Sequence, residues 1–162
     1  MSDPRRCPAP GSAPRAAADL GLPGPADGWP DWVATAPYIA GAHPLAERLP
    51  PLDEGANCQR YAYSVLQLLG RRVPQVRSSE LWSAPLLHPD RADAEPLDLA
   101  LFNGSPSAWG AHVAVVTAAG LLHLCAEVGR PAIWSWDGFA ARPRYARLVG
   151  LVRPSEREPT GA

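Results

Sequence analysis

Residues 58 to 69 carry the apolar stripe of one amphipathic helix, and that stripe sets the frame for the chain. Cys58, Tyr61, Ala62, Val65, Leu66 and Leu69 follow the i, i+3, i+4, i+7, i+8, i+11 spacing of a face buried against a core. Asn57 stands where an N-cap side chain is wanted, and Gly70 where a helix ends in a left-handed residue. A second, short helix is expected around Ser78–Trp82, capped by Ser78 or Ser79.

The second half reads as strands. Residues 97–102 (Leu-Asp-Leu-Ala-Leu-Phe) alternate with period two, and residues 112–117 (His-Val-Ala-Val-Val-Thr) are rich in β-branched side chains. Ala118, Ala119 and Gly120 offer a turn, after which residues 121–125 return as the partner strand. Asp137–Ala141 can form one helical turn, and Leu148–Val152 closes the sheet. Trp134 and Trp136 alternate in the manner of a strand end or rim, with one ring buried. One early helix and a late antiparallel sheet make an α+β layout.

A chain of 162 residues suits one domain. Eleven of its 20 prolines fall in the first 51 residues. Residues 1–28 hold few large apolar side chains, so the expectation is a disordered Pro/Ala-rich arm over 1–28, a folded domain over 29–153 and a flexible tail over 154–162. A formal net charge of -1 gives no electrostatic reason for nucleic acid or an anionic membrane as partner. No run of about 20 apolar residues is present. No apolar stretch follows Arg5 and Arg6, which leads to a cytoplasmic expectation, with export by a route not legible in the sequence as the alternative. All 15 basic residues are arginine, which removes lysine chemistry.

Three cysteines, Cys7, Cys58 and Cys125, do not describe a disulfide scaffold. Cys58 lies in the first turn of its helix, where free N–H groups and the helix dipole favour a thiolate and can hold an oxyanion. Its bland alternative is a small buried core residue. His112 opens a strand after a Gly/Ser/Pro loop, well placed to take a proton from a thiol on a facing helix. His123 is the natural third member, orienting the His112 ring, but hairpin geometry opposes it. A three-residue loop, 118–120, puts His123 opposite Val115 and on the wrong face. A two-residue loop, 119–120, puts it opposite Val116, on the right face and far along the strand. Asn103 and Glu127 are the other candidates.

Cys125 shares a strand face with His123 and, with Cys58 and His112, would make a Cys₂His₂ zinc set whose spacing fits no standard pattern. A core role for Cys125 is the simpler reading. Trp109, just before His112, can wall a substrate cleft or pack under its own loop. His43 and His88 stand in proline-flanked loops as bystanders.

Residues 57–61 (Asn-Cys-Gln-Arg-Tyr), 97–102, 110–115 (Gly-Ala-His-Val-Ala-Val) and 122–124 (Leu-His-Leu), in that order, resemble the NlpC-type papain-like cysteine peptidases. Residues 37–41 (Pro-Tyr-Ile-Ala-Gly) resemble that family's upstream proline-tyrosine segment. The likeness spans about residues 36–152. It implies a papain-like α+β fold with the nucleophile helix packed on an antiparallel sheet, and hydrolysis of amide bonds in bacterial cell-wall peptides next to D-glutamate. It implies Cys58 as nucleophile, His112 as base, His123 as orienting residue and Tyr38 beside the cysteine as a substrate-positioning group. It implies no metal and no organic cofactor, and a small peptide or cell-wall fragment as partner. The oligomeric state is not legible. Where the family carries aspartate, serine and glycine around the cysteine, this chain has Asn57, Gln59 and Arg60. Asn57, which takes the place of the aspartate that receives the substrate amine, lacks the charge for that role. Arg60 can recognise a carboxylate or simply be solvated. An acyltransferase on the same site and a non-catalytic peptide- or partner-binding module are the rival readings.

Overall fold

The structure, a computed structural model, describes residues 20–22, 24–25 and 27–156. It is a mixed helix-and-sheet architecture with antiparallel sheets. A short helix α1 (Trp32–Thr35) precedes the main helix α2 (Cys58–Leu68). Then come β1 (Arg71–Arg72), α3 (Ser78–Ser83), β2 (Leu99–Asn103), β3 (His112–Thr117), β4 (Gly120–Leu124), β5 (Pro131–Trp134), α4 (Trp136–Ala140), β6 (Arg147–Val152) and β7 (Ser155–Glu156). The central sheet has the order β5-β4-β3-β2-β6.

Helix α2 forms where its stripe places it. Asn57 caps it through Oδ1, which accepts the Arg60 N–H at 2.9 Å, and Gly70 follows it at φ 81°. Tyr61, Ala62, Val65 and Leu66 are fully buried with Val113, Val115, Leu122 and Leu124 of the sheet. Every residue of β3 is buried, because the opposite face is covered too. There Phe102, Ala114, Leu121, Trp134, Phe139, Tyr145 and Leu151 form a second, aromatic-rich cluster.

Three expectations need correction. Helix α3 has no side-chain cap: the Ser78 hydroxyl donates instead to Ala108 O at 2.7 Å, tying the helix to the loop before His112. The arm does not run loose to residue 28. Leu20 and Leu22 are buried in the main core, since these two leucines are the branched aliphatic side chains in that stretch; residues 1–19, 23 and 26 lie outside the described residues. At the other end, Ser155 and Glu156 of the expected tail pair with Arg72 and Arg71, and residues 157–162 lie outside the described residues. Among the described residues no helix is long and apolar enough to cross a membrane.

Candidate active site

The hairpin register decides the site. Thr117 pairs with Gly120, Val116 with Leu121 and Val115 with Leu122, so the loop is Ala118–Ala119 and neither register considered from sequence applies. The turn is held by Thr117, whose Oγ1 accepts the Ala119 N–H at 3.1 Å and donates to Gly120 O at 2.8 Å. Continuing this register sets His123 opposite Ala114, on the same face as His112 and one diagonal step away, within reach of ring side chains. The geometric objection to His123 is thereby removed. His112 Nε2 lies 2.9 Å from His123 Nδ1, and the rings meet edge to face with centroids 5.0 Å apart. Both rings sit among Trp134, Phe139 and Tyr145. Asn103 and Glu127 are engaged elsewhere. The Asn103 amide donates to Ser107 O and Trp109 O, fixing the loop that leads to His112, and Glu127 pairs with Arg142.

Cys58 and His112 line one cleft of about 210 Å³, together with Tyr38, Asn57, Arg77, Asn103, Cys125, Arg144 and Tyr145. Helix α2 packs on one face of the sheet and the His112 ring lies with the cluster on the other. They meet because the helix N-terminus comes to the end of β3, where the backbone N–H of Val113 reaches the Cys58 sulfur. No hydrogen bond joins Cys58 to His112 directly. With Nε2 occupied by His123, Nδ1 is the His112 nitrogen left to accept a proton. Catalytic hydrogen bonds commonly tighten only when substrate is bound.

Tyr38 is placed by backbone pairing. Ile39 N–H donates to Ala56 O at 2.9 Å and Ala56 N–H to Pro37 O at 3.0 Å, a parallel bridge that lays Tyr38 beside the start of α2. The close approach depends on Gly55, where a Cβ would overlap the Ile39 side chain. Asn57 is buried with its oxygen spent on the cap, so it lines the cleft as a neutral floor. Trp109 is not part of the cleft: it is 79% exposed, and its contribution to the loop is the carbonyl that Asn103 holds. Arg60 also turns away, donating to Gly55 O at 2.8 Å.

The electrostatics temper the thiolate expectation. Burial pushes the Cys58 thiol up, and this outweighs the pull of the Val113 and Gln59 amides in the other direction. Burial also pushes His112 down to about 3, with the Arg144 charge adding to the effect. His123 is held well below the usual imidazole range by burial and by its neighbours His112 and Arg142. At neutral pH the pair is a neutral thiol beside a neutral imidazole. If Nδ1 of His112 is to accept, its proton rests on Nε2 and is donated to His123 Nδ1. The His123 proton then sits on Nε2, which is buried without a polar partner and packs against the Trp134 and Phe139 rings. Cys125 is fully buried at the cleft wall. Among the described residues, no group of three or more His, Cys, Asp or Glu side chains is arranged to hold a metal ion.

No family model matches this chain, and no curated protein matches it. Arg77 and Arg144 of the cleft were not singled out from sequence. Both stand in segments with no chemical pattern, and only the folding of α3 and of the Pro143–Tyr145 turn brings them to the rim.

Proposed function

We propose that the chain is a thiol-dependent hydrolase of amide bonds in small peptides, cell-wall fragments among them, built on a papain-like fold of the NlpC type. The observation that carries this reading is the shared cleft: the Cys58 sulfur at a helix N-terminus and the His112 ring line it together, and the far nitrogen of that ring is tied to His123.

In this reading Cys58 attacks the substrate carbonyl as its proton passes to His112 Nδ1. The carbonyl oxygen becomes an oxyanion facing the Cys58 N–H, which by its place in the first turn has no acceptor within the helix. The imidazolium keeps its Nε2–H on His123 and returns the other proton to the departing amine. Water, deprotonated by the same nitrogen, then cleaves the thioester and restores the thiol. Tyr38 and Asn57 flank the sulfur and orient the acyl group. The raised Cys58 pKa favours a second reading, a peptide-binding module that does not turn over.

The test is incubation with a panel of cell-wall peptides and their amidated forms, read by mass spectrometry. Cleavage products are expected with the wild-type chain and absent with Cys58→Ala. Equal product from both would refute the role of Cys58, and peptide binding without cleavage would support the module.

A further inference from the structure

Among the described residues the cleft is lined by two arginines and by no acid. Arg77 and Arg144 line it, and no described aspartate or glutamate does, although the chain as a whole has 16 acidic residues against 15 basic ones. The described ion pairs use Arg71, Arg142 and Arg153; Arg77 and Arg144 belong to none of them. Both side chains are exposed, and the Arg144 guanidinium lies over the Tyr145 ring, 5.7 Å from its centroid.

Their backbones are nonetheless fixed. Arg77 is the residue before α3, and the adjoining buried Ser78 is bonded to Ala108 O. Arg144 belongs to the turn Pro143–Tyr145, whose Tyr145 ring packs 4.8 Å from that of His112, and Gly104 lets the turn approach so closely that a Cβ there would meet Pro143 O at 3.1 Å. The two guanidinium groups therefore stand on rigid supports at the mouth of the site, one coupled electrostatically to Cys58 and the other to His112. Guanidinium groups with unused donors recognise carboxylates in a bidentate manner.

We propose that Arg77 and Arg144 form an anion clamp that selects substrates bearing a carboxylate close to the bond that is cleaved. The proposal rests on Cys58 being the reactive group of this cleft, and it assigns the substrate class that the neutral Asn57 and the averted Arg60 leave open. A free amine is disfavoured at this mouth for the same reason that a carboxylate is favoured.

Alkylation of Cys58 by iodoacetate and by iodoacetamide, a charged and an uncharged reagent of nearly equal size, tests it without needing the natural substrate. At low salt the iodoacetate-to-iodoacetamide rate ratio at Cys58 is expected to exceed that of the unfolded chain by about fivefold, as two cations lining the same cleft dictate, and to collapse in 0.5 M salt, a concentration about three times physiological. In the Arg77→Gln/Arg144→Gln double variant the ratio falls to the unfolded value. An unchanged ratio in that variant overturns the clamp while leaving Cys58 reactive. Because a ratio is measured, a general change in thiol reactivity cancels. Titration of Cys58→Ala with glutarate and with glutaramide, followed by NMR, covers the case of an unreactive sulfur. Preferential binding of the diacid, lost in the double arginine variant, sustains the clamp even if the hydrolase reading fails, and equal binding of the two ligands refutes it.

Discussion

Replacing His123 with phenylalanine isolates the link between the two histidines. Phenylalanine preserves the ring that packs 4.2 Å from Trp134 and 4.7 Å from Phe139 but removes the nitrogen 2.9 Å from His112 Nε2. His112 is 8% exposed, so its Nε2–H is left inside the protein without an acceptor, a cost of about 1–3 kcal/mol. The imidazole escapes that cost by moving its proton to Nδ1 or by turning, and either change withdraws the proposed base from Cys58. An energy of that size corresponds to a loss of roughly 5- to 150-fold in the competent form of His112, and the acylation rate of Cys58 falls by the same factor. His123→Gln keeps an acceptor oxygen and recovers most of the rate. Pre-steady-state acylation gives the rates, ¹⁵N chemical shifts of the His112 ring give the tautomer, and urea denaturation of each variant separates catalysis from stability. If His123→Phe acylates at the wild-type rate with the same tautomer, or if glutamine does no better than phenylalanine, His123 is packing and nothing more.

Two further outcomes follow from the same geometry. Native His112 stays neutral down to about pH 3, whereas the unfolded imidazole gains its proton near pH 6.5. The unfolded chain therefore binds more protons between those values, so stability is intact above pH 6.5 and falls as pH drops through the window, by about 2 kcal/mol at pH 5. Urea midpoints should drop accordingly in wild type and less in His112→Asn. Gly55→Ala drives a methyl into the Ile39 side chain at φ +155°, which costs about 2 kcal/mol and lowers the melting temperature by about 4–8 °C. It also displaces Tyr38, seen as a loss of acylation rate beyond that explained by unfolding.

The helix that carries Cys58 was legible in the sequence because a buried stripe, an N-cap and a terminating glycine all agreed, and the structure ends it within a residue of the expected place. The His112 strand was legible for a similar reason, its β-branched run being buried on both faces. The hairpin between the histidines was not. Gly120 drew the turn toward itself, yet it is a strand residue at φ +135°, where a Cβ would come 2.9 Å from Trp134 O. Glycine is there for close approach, and the turn signal was Thr117. Of strand β5 only the end at Trp134, with its ring buried, was legible; its start was not, because the strand is short and begins with proline, which the sheet edge tolerates. The Cys58 ionisation could not be read from helix position alone, since the dipole argument omits the burial that dominates here. Arg77 and Arg144 could not be read at all, because their meaning lies in the cleft they share, whose described lining holds no acid, and that is a property of the folded chain.

A single turnover of p-nitrophenyl acetate, an activated and uncharged acyl donor, examines the chemistry at the sulfur itself. One acetyl group is expected on Cys58, none on Cys125, followed by its release as acetate, with both steps slowed severely in His112→Ala. An acetyl group distributed equally over Cys58 and Cys125, or one on Cys58 that forms and departs at the same rates without the His112 imidazole, would contradict the account.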